Sequence, residues 1–377
     1  MKQKDNQLRA TLTIIVLLLA IFKPTIVNQF FGLRVLYFGI RIVLLFIFSI
    51  RRIKNKTHRE APVIAVLYFL YILLMTVINK GGVVEYLEVI TGIMLLVVSS
   101  DYLFCSSNSR KTLSIIERLF TLYLIINSVF LATDISVGNN YFLGIRTRFT
   151  DLIFPYLFVV SVRHLALERK PKRIIIPALL SLYNMMSVSI GTAIGGLLIY
   201  IALVLVFTSI KNNEKRARIG RIVIIASALV SVSIVFFRIQ AMFSFLIEDI
   251  LHKKLTFTGR TYIWDSAINY VQKSPILGHG YSANGVASYR GLQWQAHNQV
   301  LETLAEGGAV ALLLLVSFVA KCVKKIKSNN KIYPYAVAML ATIIIMSTFE
   351  RYAFYPYFYL IPIIFYYSEK IIARTKE

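Results

Sequence analysis

Residues 259–308 read GRTYIWDSAINYVQKSPILGHGYSANGVASYRGLQWQAHNQVLETLAEGG. They form the largest body of polar sequence in a chain that otherwise consists of one hydrophobic block after another. Nine such blocks precede this stretch, and the next block begins within its last ten residues. The organisation of the chain therefore depends on where the blocks place this stretch, and we expect any chemistry to reside in its polar side chains.

The composition is that of a membrane protein. Of 377 residues, 57% are hydrophobic and only 16% are charged, and the mean hydropathy is +0.67. A soluble domain has no use for so much apolar sequence. We predict an all-α polytopic membrane protein that forms one integral membrane domain over residues 1–377. Windows long enough to cross about 30 Å of hydrocarbon fall at approximately 10–31, 33–50, 62–79, 86–104, 113–132, 152–168, 174–190, 193–210, 222–238, 299–320, 335–349 and 352–368.

The basic residues predict the orientation of these twelve spans. The net charge is +24, which in a soluble protein suggests nucleic acid. Placing both termini in the cytoplasm puts 29 of the 42 Lys and Arg residues in the inner segments, as the positive-inside rule requires. The positive charge therefore indicates the orientation of the spans in the membrane, and we expect no nucleic-acid partner. No small-x-small cleavage site follows the first block, so we predict an uncleaved first span.

This orientation makes residues 239–298 one large extracytoplasmic loop. Apolar residues recur at helical spacing from Thr261 to Gln272, which predicts a short amphipathic helix that Pro275 terminates. The helix either lies along the membrane surface or packs the loop onto the bundle. Gly278-His279-Gly280 resembles a phosphate-binding loop, but no strand precedes it, and a simple turn is the alternative.

Several ionisable residues cluster in this loop and at the start of the following span. Arg260 begins the predicted helix, His297 and Asn298 precede the span at 299–320, and Glu302 and Glu306 follow one and two helical turns later. An Arg binds a diphosphate in bidentate fashion, and a neutral His accepts a proton from a hydroxyl near neutral pH. The simpler alternative is that these polar residues only border the membrane interface.

Other chemistries have little support in the sequence. No His, Cys or Asp cluster has metal-ligand spacing, and neither a Walker motif nor a G-x-S-x-G motif is present. Cys105 and Cys322 both fall at predicted cytoplasmic span ends, so no extracytoplasmic disulfide is expected. We therefore expect neither a metal ion nor a cofactor.

Three motifs of the loop resemble the superfamily of O-antigen ligases and O-antigen or capsule polymerases of bacterial envelopes. The first is Gly259-Arg260 with Trp264 four residues on, and the second is Pro275-Ile276-Leu277-Gly278-His279-Gly280. The third is Ala296-His297-Asn298, followed by Leu301, Glu306 and Gly308. The resemblance covers about the last 120 residues, and the first half of the chain matches only in hydropathy.

The resemblance implies a metal-independent, inverting membrane glycosyltransferase of the bacterial cytoplasmic membrane. Its donor is a polyprenyl-diphosphate-linked glycan and its acceptor a hydroxyl of a second glycan, with a flippase and chain-length regulators as partner proteins. Arg260 would hold the diphosphate leaving group, and His297 would orient or deprotonate the acceptor hydroxyl. The remaining loop candidates are assigned to substrate binding: Trp264, Asn298, Glu302 and Glu306.

One part of the family pattern is missing from this chain. The family commonly places an Arg after a Ser-x-Ser near an outer span end, whereas Ser187-Val188-Ser189 is followed here by Ile190. Arg146 and Arg148, on the second large outer segment, are the candidates to replace that cation, unless they only border the next span. Arg41 lies inside the second span, where charges usually face a cavity, and is a further candidate for substrate binding.

The leading hypothesis is a polymerase that joins lipid-linked repeat units of a capsule or O-polysaccharide. A ligase that transfers finished glycan to a lipid or protein acceptor shares the same donor chemistry, so the motifs do not separate the two. A polysaccharide transporter or flippase without chemistry is a third reading, for which inverted repeats and charges near the midplane are the expected signs. An inactive accessory protein of glycan assembly is a fourth.

Overall fold

The computed structural model describes residues 2–54, 60–188, 191–239, 259–282 and 285–373. Within these ranges the chain forms fourteen α-helices and one short antiparallel hairpin. The helices are α1 (Lys2–Ile21), α2 (Phe31–Lys54), α3 (Glu60–Ile78), α4 (Val83–Leu103), α5 (Ser109–Ala132), α6 (Phe149–Val160), α7 (Ile175–Met186), α8 (Gly191–Ser209), α9 (Asn213–Phe236), α10 (Arg260–Gln272), α11 (Gln299–Val323), α12 (Tyr333–Met346), α13 (Pro356–Tyr366) and α14 (Ser368–Ala373). The hairpin pairs β1 (Ala287–Tyr289) with β2 (Leu292–Trp294).

The helical content confirms the predicted all-α polytopic membrane protein. A helix occupies each of the twelve predicted windows. Among the described residues, eight helices are long and apolar enough to cross a membrane, counting Arg146–Leu167, which contains α6, as one. They include neither α1, whose first half is polar, nor α7, α12 and α13, which have 12, 14 and 11 residues. Helices of 11 to 14 residues rise only about 17–21 Å, so these three windows do not form full-length spans.

The first window ends earlier than the hydropathy predicts. Helix α1 stops at Ile21, and Pro24 is followed by a 3-10 turn at Thr25–Gln29. Proline fixes its own φ and disfavours helix for the residue before it, so the apolar residues after Phe22 do not extend the span.

The bundle has a central and a peripheral set of helices. All twelve residues of α6 are buried, and most of α12 and α13 is buried with them. In contrast, large apolar side chains are exposed along α2, α8 and α9. Apolar side chains that face outward on helices of this length match a hydrocarbon surrounding. The central helices end close to the polar loop and thereby position the site.

Helix α11 is interrupted at Gly308, whose φ is 60° and ψ −162°. The segment Pro275–Gly280 runs alongside this interruption and forms the hydrogen bonds that a continuous helix would have formed within itself. Its backbone bonds to α11 are His279 N to Ala305 O (2.8 Å), Gly280 N to Glu306 O (2.8 Å), Ala309 N to Pro275 O (2.9 Å) and Val310 N to Ile276 O (3.3 Å). Non-helical backbone beside a membrane span is tolerated when it is satisfied by protein in this way.

Glycine is required on both sides of this α11 break. A Cβ on Gly308 would overlap the carbonyl of Ile276, and a Cβ on Gly278 would overlap the backbone of Gly307. The amides of His279 and Gly280 donate to α11 carbonyls, so they are not free to bind a phosphate. The Gly278-His279-Gly280 motif is therefore a turn that packs against a helix.

Candidate active site at the ends of the long loop

Arg260 and His297 meet at one carboxylate, that of Glu350. Arg260 Nη2 donates to Glu350 Oε1 at 2.6 Å, and His297 Nδ1 lies 3.6 Å from Glu350 Oε2. Arg260 is the first residue of α10, after Gly259 in the left-handed conformation (φ 88°). His297 also has a positive φ, of 48°. The two candidate catalytic residues of the loop are therefore held together by a residue outside it.

The segment between α12 and α13 that carries Glu350 is fixed to the start of α11. Asn298 caps α11, accepting from the Leu301 amide at 2.9 Å, and its own amide donates to Thr348 O at 3.1 Å. Gln299 Oε1 accepts from two successive backbone amides, those of Tyr352 and Ala353, both at 2.7 Å. These contacts satisfy the buried backbone on either side of Glu350. Asn298 is thus engaged in holding the site together.

A second buried ion pair lies beside the first. Arg351 Nη1 donates to Glu302 Oε1 at 2.8 Å, and Glu302 Oε2 accepts from the Ala296 amide at 2.6 Å. Burial on its own would lower the pKa of Arg351, but the negative charge of Glu302 raises it above its ordinary value. Both side chains are nearly inaccessible, with relative exposures of 7% and 0%. This pair anchors the peptide just before His297 to the segment after Glu350.

The charge state of Glu350 is set by its neighbours. Burial alone would raise the pKa of the Glu350 carboxyl, but the His297 ring and the Arg260 guanidinium together hold it below its ordinary value. The carboxylate is therefore ionised at neutral pH. An ionised Glu350 attracts the Arg260 guanidinium at one oxygen and the His297 ring at the other, which fixes the orientation of both side chains.

Glu306 is fully buried next to the α11 break. Its carboxyl oxygens have no hydrogen-bond partner among the residues that the structure describes. It lies one helical turn beyond Glu302, and its backbone carbonyl accepts from Gly280. The structure therefore brings Glu302 to the Glu350 segment, whereas Glu306 lies deeper, where the inserted loop meets the helix.

Arg148 joins this site from the loop between α5 and α6. Arg148 Nη2 donates to Gln295 Oε1 at 2.8 Å, and its guanidinium lies 4.6 Å from the centre of the Tyr355 ring. Its nearest carboxylate, that of Asp151, is 3.8 Å away. Gln295 precedes His297 by two residues, so Arg148 borders the segment that carries the histidine. Arg146 is exposed and lines a separate cavity.

Trp264 packs α10 against the segment that carries Glu350. Its side chain is fully buried, and its ring centre lies 6.2 Å from that of Phe349, the residue before Glu350. Ile263 and Ala267 are buried on the same face of α10, against the hairpin and the start of α11. The apolar stripe of α10 thus packs the loop onto the bundle.

Arg41 has a different environment. It is buried in α2, where Nε donates to Ala20 O at 2.7 Å and Nη2 to Ile21 O at 3.0 Å. These are the last carbonyls of α1, which have no partner within their own helix. Arg41 therefore completes the C-terminus of α1. Ser189 and Ile190, where the family pattern departs, lie outside the described residues.

Sequence reasoning did not select Glu350 and Arg351, which occupy the short turn between the last two apolar windows. Both are nearly buried, at 5% and 6% exposure. One signal was available in the sequence: an acidic and a basic residue stand side by side between two apolar windows. Charges next to membrane spans are costly, so such a pair indicates that each charge has a partner or a function. No three metal-ligating side chains converge in the described part of the chain.

Comparison with known proteins agrees with this architecture. A family model described as O-antigen ligase matches residues 176–316, which include Arg260, His297, Glu302 and Glu306. The exopolysaccharide production protein ExoQ of Rhizobium meliloti (strain 1021) is 32% identical over 83 residues, which are 19% of this chain and 19% of that protein. No solved structure matches the chain.

The long apolar helices of the described residues define a multi-pass membrane protein. The match over residues 176–316 and the similarity to ExoQ show that this part of the chain resembles O-antigen ligases and exopolysaccharide production proteins. The resemblance seen in the sequence motifs is thereby confirmed. The alignment with ExoQ spans only about a fifth of either chain.

Proposed function

We propose that this protein is a polymerase that joins polyprenyl-diphosphate-linked oligosaccharide repeat units into capsular or O-antigen polysaccharide. The observation that carries the proposal is the convergence of Arg260 and His297 on Glu350. It supplies a group for the leaving diphosphate and a base for the acceptor next to each other. The reaction is a metal-independent, inverting glycosyl transfer by single displacement.

His297 acts on the acceptor sugar. When Nδ1 carries its proton toward Glu350, Nε2 keeps its lone pair, and no hydrogen-bond partner of Nε2 is found in the described residues. Nε2 takes the proton of the attacking hydroxyl as the new C–O bond forms at the anomeric carbon. The bond from that carbon to the diphosphate oxygen breaks on the opposite side, and the electron pair leaves with polyprenyl diphosphate. Glu350 stabilises the imidazolium that results.

Two guanidinium groups are assigned to the leaving diphosphate. Arg260 is paired with Glu350 at 2.6 Å, so it shares its charge between that carboxylate and the phosphate. Among the described residues, Arg148 contacts a carboxylate at 3.8 Å, a neutral amide and the Tyr355 ring, which leaves more of its charge for an anion. Arg148 is therefore the better candidate for the cation that the chain lacks after Ser189. Trp264, Asn298, Glu302 and Glu306 then act mainly by positioning this site.

The proposed setting is the outer face of the bacterial cytoplasmic membrane, with both termini inside. Residues 239–298 then form the catalytic loop of a single integral membrane domain. The donor arrives from a flippase, and chain-length regulators act on the product. The basic inner segments counted from the sequence support this orientation.

The test is the size of the surface polysaccharide in cells whose only copy of the protein carries Arg260→Ala or His297→Ala. General-base catalysis contributes about 10²–10⁴-fold, so we expect long polysaccharide to disappear while the protein stays in the membrane at normal amount. Arg290→Ala, at the hairpin turn of the same loop, is the matched control and keeps normal chains. Normal chain length in both site variants would refute the proposal.

A ligase activity is the second candidate, because the matching family model bears that description. The glycan of a deletion strain separates the two activities. Single repeat units on the usual anchor indicate that polymerisation is lost. Long, lipid-linked chains that are not attached to any acceptor indicate that ligation is lost.

A further inference from the structure

The second outer loop, between α5 and α6, contains a cavity of about 460 Å³. This volume lies within the range of ordinary small-molecule sites, about 300–1,000 Å³. The cavity does not include Arg260, His297 or Glu350. Its lining residues are Asp134, Ser136, Asn139, Tyr141, Ile145, Arg146 and Thr147.

The loop is held in one shape by its own contacts and by the bundle. Two antiparallel bridges, Val137 with Asn140 and Tyr141 with Gly144, fold it into consecutive tight turns. The Leu143 amide donates to Oδ1 of buried Asn127 in α5 at 2.9 Å. The Tyr141 ring is nearly buried, and its hydroxyl donates to Asp134 Oδ1 at 3.3 Å. The cavity wall is therefore preformed.

The chemistry of the wall suits a carbohydrate. Hydroxyl, amide, carboxylate and guanidinium groups are interspersed with one aromatic ring and one aliphatic side chain. Sugar hydroxyls both donate and accept hydrogen bonds, so they pair with Asp134 as acceptor and Arg146 as donor at once. Among the described residues, the Arg146 guanidinium has neither a hydrogen-bond nor an ion-pair partner. A charged group without a partner on a cavity wall is available to a ligand.

The cavity and the candidate active site are separated by a single 3-10 turn, Arg146–Arg148. Arg146 and Arg148 belong to the same 3-10 turn, so their Cα atoms lie within about 8 Å of each other. Arg148 borders the His297 segment through Gln295. A saccharide whose reacting end lies beside Arg148 can therefore reach the cavity with a neighbouring sugar.

We propose that this cavity is a glycan subsite that binds a non-reacting sugar of the oligosaccharide substrate, with Asp134 and Arg146 as its recognition groups. The inference rests on the proposed glycosyl transfer for the identity of the ligand. It also separates the two arginines of this loop. Arg148 faces the reaction, and Arg146 selects the sugar.

The test uses the full-length protein in detergent micelles and short oligosaccharides released by mild acid from the lipid-linked glycans of the producing cell. Binding is measured by saturation-transfer NMR and titration. Each lost charge-assisted hydrogen bond weakens binding about tenfold or more, so Asp134→Asn and Arg146→Gln are expected to raise the dissociation constant by that factor. Asn tolerates the positive φ of 51° at position 134, so the loop keeps its fold.

Two controls make the outcome decisive. Lys80→Gln, on another exposed outer turn, should bind as tightly as the unaltered protein, and His297→Ala should keep its affinity while losing turnover. Unchanged affinity in Asp134→Asn and Arg146→Gln, or no binding by the unaltered protein, overturns the subsite. If both variants weaken binding but Arg260→Ala and His297→Ala still make long polysaccharide, the subsite stands and the proposed polymerase mechanism fails.

Discussion

Arg260 Nη2 donates a 2.6 Å hydrogen bond to Glu350 Oε1, across ninety positions of sequence. The contact ties the first residue of α10 to the turn between α12 and α13. It fixes Arg260 at a defined distance from His297, which approaches the other oxygen of the same carboxylate. The site is therefore assembled by tertiary structure, and the loop alone does not define it.

Glu350→Gln is expected to lower polymer formation about 10- to 100-fold, a part of the usual contribution of a general base. The amide keeps the shape of the side chain but removes the charge that orients Arg260 and stabilises protonated His297. The measurement is polysaccharide length and amount at equal protein level in the membrane. Glu85→Gln, at an exposed carboxylate in the first turn of α4, is the control with normal product. Full activity in Glu350→Gln would show that the convergence has no catalytic role.

Arg351→Met is expected to cost about 3–5 kcal/mol of stability, because it leaves the charge of Glu302 buried without its partner. Both side chains are nearly inaccessible, so solvent offers little compensation. Adding Glu302→Gln removes the stranded charge and should recover much of the loss. Thermal unfolding of the purified protein in detergent measures the double variant and the two single variants, Arg351→Met and Glu302→Gln. A double variant as unstable as the sum of the single ones would contradict the pairing.

Gly308→Ala is expected to destabilise the α11 break by about 1–3 kcal/mol or more. The conformation at φ 60° and ψ −162° is costly for any residue other than glycine, and a Cβ would overlap the Ile276 carbonyl. Gly39→Ala in α2 is the matched control, since a Cβ there meets nothing within 4 Å. Hydrogen exchange of the His279 and Gly280 amides reports the effect directly. Equal protection in both variants would show that the inserted segment does not depend on Gly308.

Trp264→Ala is expected to cost about 3–5 kcal/mol, the usual range for emptying a buried aromatic site. The chain contains only two tryptophans, and Trp294 is 38% exposed, so Trp294→Ala is a natural control with a small effect. Thermal unfolding and the remaining tryptophan fluorescence follow each variant. Similar losses in the two variants would argue against Trp264 as the anchor of α10.

Hydropathy was sufficient to locate the helices because apolar length is a local property of sequence. Each predicted window coincides with a helix. Hydropathy did not show that the windows at 335–349 and 352–368 form short helices with Glu350 and Arg351 buried between them. The cost of burying these charges is offset by partners tens of residues away, and a sliding window does not see such pairing.

The candidate site was predictable to a similar extent. Motif spacing identified Arg260 and His297, which the structure brings together. Charge placement selected Arg146 and Arg148 together, and only Arg148 borders the His297 segment among the described residues. The same reasoning selected Arg41, whose guanidinium is instead occupied by the carbonyls at the end of α1. An intramembrane arginine predicts a polar partner, but a helix terminus satisfies that need as well as a substrate does.

The α11 break has a consequence for biogenesis. One turn of α11 forms its backbone hydrogen bonds with the segment Pro275–Gly280 instead of within the helix. The next residue, Tyr281, donates its backbone N–H to the Thr76 hydroxyl in α3 at 2.9 Å. Membrane insertion of α11 therefore leaves backbone groups unsatisfied until the preceding segment has docked on α3. Synthesis from the N-terminus produces α3 first, then the Pro275–Gly280 segment and then α11. We therefore expect the final third of the protein to fold against helices of the first third.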